Sequence, residues 1–450
     1  MERKFDLVVI GTGAAGSAAG YKCRKAGWDV AIIDSRPFGG TCALRGCDPK
    51  KVLVGAAELI DWTRRMEGKG VLAKGSEIDW PSLMQFKKTF TEPVPENQER
   101  GYVKAGIVPF HGRTRFLDRT TVQVGDDRLT GRFVLIAAGA MPAILGIPGE
   151  AFLTRSDQFL ELEQLPKRII FVGGGYISFE FAHVAARAGA QVRIIHRGTR
   201  PLEGFDAELV EQLVKATREI GVDVHLNRAV ESVEKDGDHF VVKASSERGK
   251  QAFETDLVVH GAGRVPEIDD LDLDKAGVAR DRKGVSVNEF LQSVSNPAVY
   301  AAGDASTSSS LKLTPIASME GHVAASNMLK GNHRKPNYGG VPTVVFTIPP
   351  IASAGLQEDA ARKQGLKFSV KHEDTSTWYS SRRVNLRHSG YKVLIEEDTD
   401  RILGAHLLGE YAEEVINIFS LAIRYGLKAQ DLKTMIYAYP TSASDVSYMV

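Results

Sequence analysis

The sequence predicts an α/β protein with two Rossmann-like dinucleotide-binding domains and a C-terminal α+β domain. Three observations predict it. Short β-rich runs alternate with helical patterns through the first two thirds of the chain, two of these runs end in glycine-rich turns about 160 residues apart, and the last ~115 residues change to an antiparallel pattern.

The strand-like runs are DLVVIG, WDVAIID, RFVLIAAG, RIIFVGGG, AQVRIIH, DLVVHGAG and AVYAAGD. Their alternation with helices implies parallel sheets covered by crossover helices. PAILGIPG and GNHRKPNYGG, rich in Pro, Gly and Asn, mark boundaries. The expected division is a first nucleotide domain at 1–149, a second at 150–266, a return to the first at 267–335, and an interface domain at 336–450. In the last, VPTVVFT, YKVLIEED and RILGAHLLG alternate as antiparallel strands, and AEEVINIFSLAIRYG carries apolar residues at helical spacing up to Gly426.

In VVIGTGAAGSAAG a strand runs into Gly11, Gly13, Ala14 and Gly16 and on into an Ala-rich helix. The glycines permit a tight turn, close approach of a pyrophosphate and tight helix–strand packing. Asp34 closes the next strand about 20 residues on, where a carboxylate accepts ribose hydroxyls. The second cradle, IIFVGGGYISFEFA, offers Gly173, Gly175, Tyr176 and Ile177, with Ser178 in the third small-residue place. After its next strand come Arg197 and Arg200 rather than an acid. Cations there suit the 2′-phosphate of NADPH, which is favoured over NADH.

The 57 basic and 56 acidic residues leave a net charge of +1, with no global footprint for nucleic acid or an anionic membrane. No apolar run approaches ~18 residues. The N-terminal MERKFDLVVIG runs straight into a strand pattern, and a cytoplasmic protein acting on small molecules is expected. Cys23, Cys42 and Cys47 are too few for a secreted disulfide framework or a thiolate-rich zinc site, and no metal site is expected.

Cys42 and Cys47 follow Gly39 and Gly40. On an ideal helix their spacing separates the Cα atoms by roughly 8–9 Å, beyond disulfide reach. A bonded pair therefore needs a distorted first turn, with Cys42 at or before the helix start. A helix N-terminus with Arg45, Lys50 and Lys51 nearby favours thiolate over thiol. Spacing alone leaves two buried structural cysteines as the other reading. Cys23, within a helical pattern, reads as core.

The motif GGTCxxxGCxPxK, together with both cradles, resembles the class I pyridine nucleotide-disulfide oxidoreductases, which include glutathione reductase, dihydrolipoamide dehydrogenase and mercuric reductase. Further motifs occur in the family order: IAAG at 136–139, GAGRVP at 261–266, VYAAGD at 299–304, LTP at 313–315 and VFTIPPIASAGL at 345–356. The resemblance implies a homodimer with FAD in the first domain and NAD(P)H in the second, and a redox disulfide between Cys42 and Cys47. Hydride passes to the flavin, the reduced flavin attacks Cys47, and Cys42 emerges as the thiolate that exchanges with a small-molecule acceptor. It further implies cofactor contacts from Gly40, Thr41, Gly139, Gly263, Gly303, Leu313, Thr314 and Pro315. Lys51 and Glu180 match an ion pair beside the flavin, Tyr176 an aromatic lid on the nicotinamide pocket, Asp304 a ligand of the FAD ribitol, and Arg264 a residue lining the nicotinamide site. The helix around Ile416, Phe419 and Ile423 is the expected source of dimer contacts.

Family disulfide reductases end in HPTxxE, whose histidine shuttles the exchange proton. Here the segment reads YAYPTSASDVSYM, with Tyr439 in the histidine place, Ser444 in the glutamate place and Asp445 one residue late. A phenol titrating near 10 donates a hydrogen bond but is a poor base beside imidazole. Mercuric reductase also carries a tyrosine there but needs a C-terminal cysteine pair, and no cysteine follows Cys47. Glu203 stands where glutathione reductases tend to carry a second phosphate-binding arginine. The leading expectation is reduction of a disulfide or other thiol-reactive acceptor, with Tyr439 in the catalytic set. The alternatives are a flavin-level reductase or oxidase of a quinone, oxygen or a metal ion, including mercuric ion, and a slow redox-sensing flavoprotein.

Overall fold

A computed structural model describes residues 2–450. The chain forms two compact units, one of Met1–Lys50, Phe86–Ala143 and Gly263–Tyr338, the other of Lys51–Gln85, Ile144–Ala262 and Gly339–Val450.

The first unit is built on a sheet whose central strand, Glu2–Ile10, pairs in parallel with Val30–Asp34 on one side and Asp127–Ile136 on the other. Val108–His111 extends the first side, and Val299–Ala301 joins the last residues of Asp127–Ile136. Leu7, Val8, Val9, Ile32, Ile33 and Val134 are fully buried, as strands covered on both faces require. The register sets Ile10 beside both Ile33 and Ile136, and Ile136 beside Ala301. The chain therefore leaves four parallel strands at one edge, toward Gly11, Asp34, Gly139 and Asp304. Open α/β sheets bind ligands at the carboxyl ends of their strands. Four motifs scattered over 300 residues of sequence thus converge for a topological reason.

Helix α1 (Ala14–Lys25) returns across this sheet with Cys23 fully buried in its core face. A side chain at Gly16 would place its Cβ 2.0 Å from the Gly11 carbonyl oxygen, and one at Gly321, in the helix Thr314–Lys330, 2.2 Å from that of Ala15. Both helices depend on these glycines to pack this closely.

The second unit holds a parallel sheet in the order Asp223–His225, Gln191–Ile195, Arg168–Val172 and Leu257–His260. It also holds an antiparallel sheet ordered Pro342–Val345, Ile351–Gly355, Ile402–Leu408, Gly390–Glu396 and Phe368–Asp374. Residues 144–262 and 339–450, which cover most of the second nucleotide domain and the interface domain expected from the sequence, fall in this unit. A buried charge cluster helps join them. Lys392, on the antiparallel sheet, is 6% exposed and lies 2.9 Å from Asp206, 2.5 Å from Glu208 and 3.2 Å from Glu358. Asp206 also caps the helix Ala207–Glu219, accepting from the backbone of Glu208 and Leu209.

The helix Ala412–Tyr425 packs on the antiparallel sheet. Ile416 and Phe419, expected to make dimer contacts, are fully buried in this chain's own core. The large apolar residues its outer face leaves exposed are Leu421 and Tyr425. An amphipathic helix covers its own sheet first, and only the remaining stripe is free for a partner. Among the described residues no helix is long and apolar enough to cross a membrane.

The Lys392 cluster makes two measurements predictive. Lys392→Met leaves the buried Asp206 carboxylate without its counter-ion, and should cost about 3 kcal/mol in chemical unfolding. Burial pushes the Asp206 carboxyl up, but the Lys392 ammonium outweighs it and the net shift is downward; Arg362 and then Lys392 likewise lower Glu358. Groups with depressed folded values stabilise above the ordinary carboxylate range and lose that contribution as pH falls through the folded values. The wild-type advantage over Lys392→Met should therefore persist at pH 6 and shrink below about pH 4. An equal difference at both pH values would contradict it.

Candidate active site

The cysteine pair is brought together by a break between two helices. Helix α2 (Gly40–Arg45) carries Cys42, and α3 (Cys47–Arg65) begins at Cys47. Gly46 between them adopts φ −145°, ψ −110°. A Cβ there would lie 2.9 Å from the Thr41 carbonyl oxygen and 3.3 Å from Thr41 Cγ2, so this tight reversal depends on glycine. Cys42 lies outside the long helix, as the spacing requires, but within a short helix of its own. Gly40, at φ +72°, would set a Cβ 2.5 Å from Gly13 Cα, so the redox loop rests backbone to backbone on the first cradle.

Both cysteines are thiols here, hydrogen-bonded to each other. The bond from Cys42 is the main reason Cys47 falls to about 6; the surrounding protein opposes this, while the Thr314 hydroxyl and Lys50 assist. Cys47 Sγ lies 3.5 Å from Thr314 Oγ1, the first residue of the helix Thr314–Lys330. Two helix N-termini thus adjoin one sulfur, and each favours negative charge. Cys42 is pushed up by the bond with Cys47 and then by burial. One negative charge is shared by the pair and rests on Cys47. Lys50 is the lysine that acts on Cys47.

At the sheet edge, Asp34 Oδ2 accepts from Thr12 N at 3.0 Å and Thr12 Oγ1 at 2.6 Å, while Oδ1 accepts from Arg36 N at 3.0 Å. A Cβ at Gly11, φ +109°, would fall 2.2 Å from the Ala137 carbonyl oxygen. Gly139 and Gly263 have φ +75° and +113° with open space where a side chain would stand. Arg264 donates to the Ala140 carbonyl, and its strand pairs with Ala140–Pro142. Glu320, fully buried, accepts from Gly303 N at 2.6 Å, Ser308 Oγ at 2.7 Å and the Tyr338 hydroxyl at 2.7 Å, and so holds the turn that carries Asp304. Burial raises the Asp304 carboxyl although Lys312 and Arg264 pull it down, and no protein donor reaches it among the described residues. An acceptor at a sheet edge without a protein donor, beside a cradle with no room for side chains, fits a hydroxyl-bearing dinucleotide.

In the second unit, a Cβ at Gly173 (φ +109°) would meet the Gly261 carbonyl oxygen at 2.5 Å. Gly175 precedes the helix Tyr176–Arg187, whose first residue is half exposed, with Ile177 partly covered behind it. Ser178 is fully buried, and its hydroxyl lies where a Cβ at Gly261 would be, 2.0 Å away. A glycine facing it is what lets serine replace the third small residue. His196 turns back to hydrogen-bond the Arg200 carbonyl at 3.0 Å, leaving Arg197 exposed with no ion pair among the described residues.

Lys51 makes an ion pair with Glu58 at 3.1 Å and lies 4.7 Å over the Phe346 ring. Glu58 stands two turns along the same helix, within reach of a lysine. Glu180 is buried and accepts from Phe346 N at 2.9 Å. The two groups meet at Phe346.

Tyr439 is 80% exposed. Neither candidate for its orienting carboxylate points its way. Ser444 closes a capping box with Thr441, its hydroxyl donating to Thr441 O at 2.6 Å and its N–H to Thr441 Oγ1 at 3.2 Å. Asp445 is raised by burial and hydrogen-bonds Ser380 at a small cavity also lined by Glu410 and Trp378.

A paired-thiol site beside a dinucleotide cradle defines a thiol-dependent redox enzyme, and the comparisons with known proteins agree. Residues 5–321 match the pyridine nucleotide-disulphide oxidoreductase model, and residues 341–450 match the dimerisation domain of the same family. The chain is 31% identical to a mercuric reductase of Lysinibacillus sphaericus over 98% of its length and 81% of the relative. It is 30% identical to a glutathione reductase of Nostoc sp., covering 98% of each. The structure of the HOCl-induced flavoprotein disulfide reductase RclA from Escherichia coli, in a Cu(II) complex, is similar at TM-score 0.88 and 27% identity, covering 99% of this chain and 98% of that one. The chain belongs to the pyridine nucleotide-disulphide oxidoreductases. It is a flavoprotein oxidoreductase using FAD and NAD(P)H with a redox-active disulfide, and its dimerisation domain supports a homodimer.

Alkylation of Cys47 in the reduced protein, mapped by mass spectrometry, should rise with pH through a midpoint near 6. Cys42→Ala removes the largest stabilising contact and should move that midpoint toward an ordinary thiol, about 8.5. A midpoint unmoved in Cys42→Ala would show that the pair does not share its charge as described.

Proposed function

We propose that this enzyme passes electrons from NADPH, through FAD and the Cys42–Cys47 disulfide, to a disulfide or other thiol-reactive acceptor. The observation that carries the reading is the thiol pair itself, two free cysteines set together by the reversal at Gly46, with Cys47 at the start of α3 and 3.5 Å from Thr314 Oγ1. Bound FAD supplies the two-electron relay that restores the dithiol. Gly11, Gly13, Ala14, Gly16, Asp34, Asp304 and the segment Leu313–Pro315 would hold it. Cys42 then gives up its proton and attacks the acceptor disulfide; one acceptor thiolate leaves and a mixed disulfide forms. Attack by the Cys47 thiolate expels the second and closes the Cys42–Cys47 bond. Two electrons pass to the acceptor, and two protons complete its thiols.

Arg197 supports the NADPH preference, since it is exposed, carries no ion pair among the described residues and follows the second βαβ strand where the 2′-phosphate is recognised. A second reading, reduction of a metal ion, draws on the Cu(II) in the RclA structure and on the mercuric reductase relatives.

Three outcomes are expected. Arg197→Glu should lower kcat/KM for NADPH at least ~10-fold and leave NADH within about twofold, because a carboxylate repels the 2′-phosphate; equal losses would contradict the preference. Cys42→Ser should abolish disulfide reduction, and an activity that survives would place the acceptor at the flavin. Tyr439→His should raise disulfide turnover near pH 7, and adding Ser444→Glu, which supplies the missing orienting carboxylate, should raise it further within the ~10²–10⁴-fold range of acid–base assistance. Unchanged turnover in both would show that proton transfer does not limit exit.

A further inference from the structure

We propose that Asp48 sets the charge preference of the site, selecting cationic or neutral thiol-reactive acceptors over anionic ones. The inference rests on the reading that Cys42 is the exchanging thiol, and it names the class of acceptor.

Asp48 is the second residue of α3, and its Oδ1 lies 3.9 Å from Cys42 Sγ, which donates to it. The carboxylate is exposed and makes no ion pair among the described residues. Charges are unevenly divided between the two sulfurs. Asp48 acts on both sulfurs, but at Cys47 the Lys50 ammonium opposes it, whereas at Cys42 the Cys47 sulfur adds to it. An acceptor arriving at Cys42 thus meets a thiolate and a carboxylate. An anionic disulfide is repelled by both, and a cationic disulfide is attracted by both. A unit charge about 5 Å away, partly screened at an exposed site, shifts a rate by about tenfold per unit of acceptor charge. A carboxylate in the first turn also stabilises a helix N-terminus. That accounts for stability and not for discrimination between reagents, so the two roles separate in experiment.

The test uses the FAD-loaded Cys47→Ser variant, in which Cys42 and the fully buried Cys23 are the remaining cysteines. Cys42 is labelled with a trimethylammonium-ethyl methanethiosulfonate, its sulfonatoethyl counterpart and the neutral methyl reagent. In each case the Cys42 thiolate forms a mixed disulfide and methanesulfinate leaves with the electron pair of the broken S–S bond. Asp48→Asn should lower the cation-to-anion rate ratio by about tenfold or more and Asp48→Glu should retain it. High salt should compress the ratio in the Asp48 protein and leave it little changed in Asp48→Asn. A ratio that Asp48→Asn does not change, or three rates that move together, would overturn the proposal. A parallel turnover assay with cystamine and with an anionic aryl disulfide keeps the two claims apart. Loss of all disulfide turnover with the labelling ratio intact would refute the reductase reading alone. Turnover through Cys42 with no charge-dependent change in Asp48→Asn would refute the charge preference alone.

Discussion

The site depends on the reversal at Gly46. A continuous helix through Cys42 and Cys47 would hold the sulfurs apart, and any side chain at the break would press on the Thr41 carbonyl. By ending one helix and starting the next between the cysteines, the chain brings two thiols into hydrogen-bonding contact and gives one of them a helix N-terminus. The preceding Gly40 serves the same arrangement, since it lets this loop rest directly on the backbone of the first cradle. Cradle and thiol pair are therefore one packed construction.

Polarity follows from that geometry. Cys47 gains the Cys42 hydrogen bond, the Thr314 hydroxyl and Lys50, and holds the charge; Cys42 keeps the proton and faces Asp48. Electron entry is thus well furnished with residues, and proton exit is not. Tyr439 is exposed, Ser444 is committed to its own capping box, and Asp445 is turned to Ser380. A histidine–glutamate pair in those places would supply both a base near neutrality and the group that orients it. This chain has a phenol without an orienting carboxylate within its own C-terminal segment.

The parallel sheets and both cradles were legible because each depends on a local signal, a buried β-run followed by glycines where no Cβ fits. Cys23 was legible as core from its place in a helical pattern. The contact of Lys51 with Glu58 was not, because a lysine and a glutamate two turns apart on one helix form a common surface pattern that carries no functional signal. Thr314 read as a cofactor contact, and its second role beside Cys47 needs two segments 267 residues apart to meet. Glu320 gave no signal, since a glutamate on an otherwise apolar helix face reads as surface until its three donors are in place. The shared unit of residues 144–262 and 339–450 rests in part on the Lys392 cluster, a set of distant charges that no periodic pattern reveals.

The central claim is that electrons reach the acceptor through a pair whose charge rests on Cys47. Anaerobic titration of the FAD-loaded enzyme with NADPH tests it most directly. A long-wavelength thiolate-to-flavin charge-transfer band should appear at pH 7 after two electrons and fade on acidification with a midpoint near 6. Bleaching of the flavin at the first equivalent, with no such band at any pH, would contradict the account.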